Sequence, residues 1–238
     1  MRRLLAWALG LAVIAGAVLW LVSRDVVRYQ ATEEELRLAA RFEAVKSLAE
    51  KGDIASASAL AGLYREGRGT ERDPRAAWRW YSNAADKGLV GAQFALGSMY
   101  EAGDGVKQDS YRAAEWYSLA AGLGRHAGAQ FALGQLYFHG RGKPNDYGEA
   151  ITWYRKAAKQ GHGPAQYLMG AMHREGWAVK RDYVEAYMWY SLAIPKAAQV
   201  RAVDRRYDPA KARDEVAAKM NKFQIAEAER KAKAWRPR

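Results

Sequence analysis

A pattern of residues recurs four times along this 238-residue chain and limits what the chain can fold into. The clearest copy runs from Ala92 to Gly124. Its marks are a Tyr (His in the last copy), a Gly three residues later, an Asp nine residues later, and a Trp-Tyr pair beginning seven residues after the Asp. The tryptophans, spaced by 36, 37 and 36 residues, are Trp80, Trp116, Trp153 and Trp189. This period is typical of two-helix units that stack into a solenoid, because one unit alone buries too little apolar surface.

Each copy is expected to form two helices joined by a glycine-rich loop. In the second copy, Ala92, Leu96 and Met99 recur at helical spacing and give the first helix an apolar stripe. An Asp before each second helix is placed to accept hydrogen bonds from free backbone N–H groups. These N-cap residues are Asp73, Asp109, Asp146 and Asp182. The predicted helices span residues 56–66, 74–87, 92–102, 109–122, 129–139, 147–160, 165–175 and 183–194.

Two further features of the copies predict how the helices pack. Gly97, Gly134 and Gly170 lie inside first helices, where Gly costs about 1 kcal/mol relative to Ala. We therefore expect a neighbouring helix to approach closely at these positions. The Trp-Tyr pairs occupy one helical position in every copy, which is typical of core residues. Glu149 and Glu185 follow their Asp by three residues, at the spacing of a capping box.

The pattern A-x-x-x-L-G-x-x-Y-x-x-G-x-G … D-x-x-x-A-x-x-W-Y-x-x-A-A-x-x-G resembles the Sel-one-like repeat, a relative of the tetratricopeptide repeat. The resemblance covers about residues 53–198 and implies an all-α, right-handed solenoid of four helix-pair repeats. The tail Arg213–Trp235 is similar to the closing helices of bacterial members. The fourth copy departs from the pattern, because His173 replaces Tyr, Ala178 replaces the second Gly, and Pro195 shortens the last helix.

The first residues of the chain favour a membrane anchor. Leu4–Val22 holds nineteen residues without a charge, long enough as a helix to cross the hydrocarbon core of a bilayer. The alternative is a cleaved secretory signal, for which Ala15-Gly16-Ala17 offers a small-residue site. The apolar run continues past that site, and Trp20 suits a membrane interface. Residues 1–23 are therefore predicted to be a transmembrane signal-anchor in a bacterial inner membrane, with the solenoid in the periplasm.

The segments on either side of the repeats are expected to be helical caps. Residues 24–52 are predicted to be a linker and a capping helix that begins at Thr32. The apolar stripe of that helix is expected to be Leu36, Ala40, Ala44, Leu48 and Ala49. The repeats occupy residues 53–198. Residues 199–238 are predicted to form basic closing helices that start at Asp208-Pro209 and Asn221.

Composition and charge argue against several classes of function. The last forty residues hold twelve Lys and Arg against six Asp and Glu, half of the net charge of +12. We expect no nucleic-acid partner, because the aromatic residues needed for base stacking are committed to the repeats. Cysteine is absent, the four histidines lack ligand spacing, and the common catalytic motifs are missing. We therefore expect no metal, no cofactor and no enzymatic activity.

The expected function is a membrane-tethered scaffold that binds a protein or peptide on the concave face of the solenoid. Sel-one-like proteins commonly act as adaptors in membrane-associated complexes, so this role is implied by the resemblance. The alternative is an envelope enzyme acting on cell-wall or peptide substrates. Because core positions must repeat, partner binding is predicted at positions that differ between units. These are Phe138, Arg141, Arg174, Trp177, Arg65 and Glu101.

Overall fold

The computed structural model describes residues 32–122 and 125–237, and within these ranges the regular elements are helices. They are α1 (Glu33–Glu50), α2 (Ile54–Glu66), α3 (Pro74–Asp86), α4 (Val90–Ala102), α5 (Ser110–Gly122), α6 (Ala127–His139), α7 (Tyr147–Lys159), α8 (Gly163–Glu175), α9 (Tyr183–Ala193), α10 (Ala197–Val203), α11 (Pro209–Ala217) and α12 (Lys222–Ala234). A 3₁₀ turn, Ile194–Lys196, joins α9 to α10. None of the described helices is long and apolar enough to cross a membrane. The predicted anchor Leu4–Val22 lies outside the described residues.

The helices stack in chain order as an all-α solenoid. The four units are α2–α3, α4–α5, α6–α7 and α8–α9, and each helix packs against the one before and the one after it. The eight predicted repeat helices are confirmed, with every boundary within two residues of the expected one. At one end α1 covers α2, and at the other α11 and α12 pack on α9.

The N-caps of the second helices are confirmed. The carboxylate of Asp109, for example, accepts hydrogen bonds from the backbone N–H groups of Tyr111 and Arg112 at 3.0 Å. The capping boxes expected at Glu149 and Glu185 are wrong. In a capping box the backbone N–H of the N-cap Asp would donate to the glutamate side chain, but here that N–H already donates to a backbone carbonyl. In the second unit the N–H of Asp109 donates to the carbonyl of Tyr100 at 2.9 Å. The same bond recurs in every unit and joins the start of the second helix to the end of the first.

The expected close approach at the helical glycines is confirmed, and its partner is the tyrosine of the Trp-Tyr pair. A Cβ on Gly97 would lie 2.5 Å from the ring of Tyr117. Gly134 faces Tyr154 and Gly170 faces Tyr190 in the same way. These three tyrosines are fully buried.

The tryptophans of the pairs are less buried than expected. Trp189 is buried, whereas Trp80, Trp116 and Trp153 remain partly exposed. Their rings cover the seams between neighbouring units, and that of Trp153 carries the ammonium of Lys156 3.7 Å above its centre. The expectation that both aromatic residues of the pair are core residues is therefore right for three tyrosines and Trp189, whereas Tyr81 and the other three tryptophans are only partly buried.

The capping helix α1 begins at Thr32 through the expected capping box with Glu35. The apolar face predicted for it is correct at Ala49 and wrong at the other four residues, which are exposed. Leu36 and Leu48 are 61% and 50% exposed, and the buried side chains are Phe42 and Ala49. The reason is an aromatic contact, since Phe42 packs edge-on against Tyr64 of the first unit, with the ring centres 5.2 Å apart. That contact turns the helix away from the stripe that alternating Leu and Ala suggested.

Replacing Gly97 by Ala is expected to destabilise the protein by about 1–3 kcal/mol, because the new methyl group would overlap the ring of Tyr117. The matched control is Gly91→Ala in the same helix, where an added Cβ meets nothing within 4 Å. That change is expected to be neutral or to stabilise the helix by up to about 1 kcal/mol. Chemical denaturation of both variants measures the difference. Equal effects of the two changes would contradict the assigned packing.

Candidate functional site

A cleft of about 740 Å³ opens on the side of the solenoid that the first helices line. Its walls come from α4, α6 and the start of α8, and α10 with the turn that follows it closes one end. Aromatic and apolar side chains form its floor, and charged groups stand around its mouth. Its lining includes the side chains of Phe94, Glu101, Phe131, Ala132, Gln135, Arg141, His162, Ala202, Asp204, Arg206 and Tyr207.

The floor of the cleft is built from two Phe-His stacks that bridge consecutive units. Phe94 of α4 stacks on His126, with ring centres 4.5 Å apart, and Phe131 of α6 lies 4.8 Å from His162. Each histidine is the N-cap of the next first helix, and its Nδ1 accepts a backbone N–H, from Ala129 at 3.1 Å in the case of His126. One aromatic contact therefore fixes both the floor of the cleft and the entry angle of a helix.

The capping histidines are held in the neutral form. Burial lowers the pKa of His162 to about 4, and the nearby ammonium of Lys196 acts in the same direction. Burial also lowers the pKa of His126. An Nδ1 that accepts a hydrogen bond carries no proton, so the caps and the low pKa values agree. At neutral pH both rings present an uncharged aromatic surface to the cleft.

The mouth of the cleft carries paired charges. The two carboxylate oxygens of Glu101 are both engaged, since one accepts the hydroxyl of Tyr117 at 2.8 Å and the other lies 3.1 Å from the guanidinium of Arg141. At the closed end Asp204 binds Arg206, with oxygen and nitrogen 2.6 Å apart. This hydrogen-bonded contact lowers the pKa of the Asp204 carboxyl to about 2. The rim is therefore polar, while the floor is apolar.

The positions that differ between units form pairs across the unit boundaries. In each pair between two units, the residue directly after the repeat Tyr of one unit contacts a residue of the next unit. That second residue stands four positions after the repeat Tyr or His of its own unit. In the first pair the Nε of Arg65 donates to Asp104 at 2.9 Å. The full series of pairs is Arg65 with Asp104, Glu101 with Arg141, Phe138 with Trp177 and, at the closing helix, Arg174 with Glu215. Each pair is complementary in charge or in apolar character.

All six residues predicted for partner binding belong to this series, and the structure divides them between four contacts. Glu101 and Arg141 lie at the cleft. Phe138 and Trp177 contact each other, with ring centres 5.6 Å apart, next to Tyr147. Arg174 binds Glu175 and Glu215, and Arg65 binds Asp104. Phe138, Arg141, Arg174 and Trp177 therefore take part in three separate contacts within the protein.

The floor of the cleft was not singled out from the sequence. Phe94 and Phe131 occupy the same position in two consecutive units and resemble ordinary core residues in a repeat. The available signal was the His that precedes each following first helix, at residues 126 and 162. In residues 32–122 and 125–237, no three or more His, Asp or Glu side chains come together in a way that could hold a metal ion.

The fold and the cleft together define a helical-repeat solenoid with a groove along its first helices. The model of the Sel1 repeat matches residues 54–89, 90–124, 127–162 and 163–194, and the chain belongs to this family. Sel1 repeat proteins are in general scaffolds for protein–protein interaction and not enzymes.

Solved structures similar to this chain support the family assignment. A protective antigen from uropathogenic Escherichia coli, described as having an SLR fold, is 30% identical, with a TM-score of 0.71 over 82% of this chain. This chain spans 40% of that antigen's length. A Sel1 repeat protein from Oxalobacter formigenes is 27% identical, with a TM-score of 0.60, and the match covers 84% of this chain and 85% of that one. No curated protein matches the chain.

Replacing Asp104 by Ala is expected to cost about 1–2 kcal/mol of unfolding free energy, because its largely buried carboxylate holds both Arg65 and Arg72, the latter at 2.6 Å. Arg68 is the matched control, since it stands at the same position in the first unit. Its side chain is 65% exposed and pairs locally with Glu66. Arg68→Ala should cost less than about 0.5 kcal/mol. Equal costs in denaturant unfolding would show that the pairing between units adds nothing.

Proposed function

We propose that the protein is a scaffold whose cleft binds an extended segment of a protein partner. The observation that carries this proposal is the pairing of an aromatic floor, formed by Phe94 and Phe131 with their histidines, and a polar rim that is open to solvent. Peptide and ligand sites are commonly apolar at the base, with a few polar groups that fix orientation. The general role of Sel1 repeat proteins in protein–protein interaction supports the same assignment.

The rim suggests how such a segment would be held. Apolar side chains of the partner would rest on the two phenylalanines, while its backbone or polar groups would exchange with the Glu101–Arg141 pair. Arg141 is about half exposed, so its guanidinium can reach a ligand without unfolding the wall. Asp204 and Arg206 offer a second pair at the closed end. Partner binding at Glu101 and Arg141 thus stays a prediction from the sequence that the cleft geometry supports.

Replacing Ala202 by Arg is expected to block the cleft, because this exposed residue of α10 lines the opening and a longer side chain would project into it. Purified full-length protein is used to select binders from a displayed library of random peptides. The selected peptides should lose at least about tenfold in affinity for Ala202→Arg, equivalent to about 1.4 kcal/mol.

The matched control for this experiment is Ala226→Arg. Ala226 is an exposed residue of α12 that does not line the cleft. This variant adds the same charge and should keep the affinity of the unmodified protein. Peptides that bind both variants equally well would place the binding surface elsewhere. Melting temperatures near that of the unmodified chain would confirm that both variants are folded.

We further propose that Leu4–Val22 tethers the scaffold to a bacterial inner membrane, with the repeats in the periplasm. The nineteen uncharged residues of this segment support the tether. By the positive-inside rule Arg2 and Arg3 favour a cytoplasmic N-terminus, and four arginines after the segment oppose it: Arg24, Arg28, Arg37 and Arg41. The orientation proposed here rests on the very short N-terminal flank, which is typical of a signal-anchor.

The full chain is expected to remain in the membrane fraction after washing with alkaline carbonate, because a helix that crosses the bilayer is not released when peripheral contacts are broken. Leu11→Arg places a charge near the centre of the segment, at a cost of about 2.5–3.5 kcal/mol, and should reduce retention. Immunoblotting of the pellet and the supernatant measures the retained share. Recovery of a soluble form that begins near Val18 would instead show cleavage of a signal peptide.

A further inference from the structure

The exposed large aromatic side chains of the described residues share a position in the fold that neither the repeat core nor the cleft explains. Tyr111, Tyr147, Trp177 and Phe223 are 74%, 43%, 41% and 75% exposed. Each lies in a glycine-rich loop or in the first turn of a helix. Exposed aromatic residues grouped on one part of a surface generally mark a site of interaction.

The packing of the loops brings these residues to the same edge of the solenoid. Each glycine-rich loop rests on the start of the second helix of the preceding unit, so that Gly142 lies against the backbone of Ser110 and Tyr111. Trp177 likewise stands beside Tyr147, with nearly parallel rings whose centres are 6.4 Å apart. We call the edge formed by these loops and helix starts the aromatic edge.

The closing helix α12 extends the aromatic edge. Gln224 in its first turn borders the same depression as Lys180, Arg181 and Tyr183 of the fourth unit. The ammonium of Lys219 lies 5.7 Å from the ring centre of Tyr183. Phe223, next to Gln224, is therefore at the same end of the helices as Trp177.

Basic side chains accompany the aromatic ones. Six Lys and Arg residues along the edge form no ion pair with a carboxylate of residues 32–122 or 125–237; these are Lys107, Lys143, Lys180, Arg181, Lys219 and Lys222. Arg72, Arg112 and Arg141 of the same edge are paired, with Asp104, Asp109 and Glu101 respectively. Of the acids along the edge, Asp109, Asp146 and Asp182 accept N–H groups at helix starts, where the positive end of the helix dipole offsets their charge. Asp104 and Glu185 are paired with basic side chains, and Glu149 is exposed.

We propose that the aromatic edge lies against a membrane surface that contains anionic lipid. Tyr and Trp are the residues that favour the boundary between lipid and water, because their rings combine an apolar body with a polar group. Lys and Arg near such a surface are attracted to anionic headgroups. A membrane contact also suits residues spread along an edge over three units, where the cleft suits a single peptide. The aromatic edge and the cleft then serve different partners.

The absence of cysteine allows the proposal to be tested with one label on the full chain. Glu149→Cys places an environment-sensitive fluorophore on the exposed first turn of α7, at the aromatic edge. Lys87→Cys places it at the opposite end of the helices, after α3. The protein is reconstituted in nanodiscs of phosphatidylcholine, with or without one-third phosphatidylglycerol, that carry nitroxide groups on the lipid heads. We expect several-fold stronger quenching at position 149 than at position 87 in the anionic discs, decreasing at high salt.

Variants of the exposed residues complete the test. Tyr111→Ser combined with Phe223→Ser should lower the quenching at position 149 towards that at position 87, without a change in melting temperature, because both rings are about three-quarters exposed. The matched control is Leu119→Ser combined with Leu48→Ser, two exposed apolar residues near the opposite ends of their helices and outside the cleft, which should leave the quenching unchanged.

Two outcomes would overturn the proposal. One is equal quenching at positions 149 and 87 in anionic discs. The other is quenching at position 149 that is the same in neutral and anionic discs and is unchanged by the Tyr111→Ser and Phe223→Ser double variant. Retention of the chain by neutral discs reports on Leu4–Val22 and not on the edge. A chain that does not bind neutral discs would contradict the tether. In that case the aromatic edge alone should still bind the chain to anionic discs.

Discussion

Three of the four repeats depend on a tyrosine ring that packs directly on the backbone of a facing helix. The contact at Gly97 leaves no room for even a methyl group next to Tyr117, so the two helices of the unit meet at one defined place and angle. The first unit shows the effect of losing it. There Ala61 stands where the other units have Gly, and Tyr81 is only partly buried. Backbone bonds such as that from Asp109 to Tyr100 then join the ends of the two helices that this packing has aligned.

A second kind of contact orders the units along the solenoid. The paired positions that link one unit to the next carry salt bridges at the first two boundaries and aromatic rings at the third. An aromatic residue therefore replaces a charged one at residue 177 because its partner, Phe138, is also aromatic. Variation between units had been interpreted as a sign of partner binding. The structure shows that part of it reflects compensation between neighbours.

The repeat helices, their N-caps and the reason for the helical glycines could be predicted because each depends on residues close in sequence and recurs several times. The orientation of α1 could not, since it is decided by one contact between Phe42 and Tyr64 that no periodicity records. The cleft was also beyond prediction. Its floor needs His126 to cap one helix while stacking on a Phe of the unit before, and its closed end is supplied by α10, which lies outside the repeat pattern.

The pairing of neighbours has a consequence for how such a chain can grow. Solenoids lengthen when a unit is copied in place, and the copy must then face its own original. A copy of the second unit would set a residue like Glu101 against one like Asp104, and a copy of the first would set Arg65 against Arg68. Both bring like charges together, which is destabilising. Tandem duplication of either unit would need a compensating substitution, so these contacts favour an array of fixed length and order.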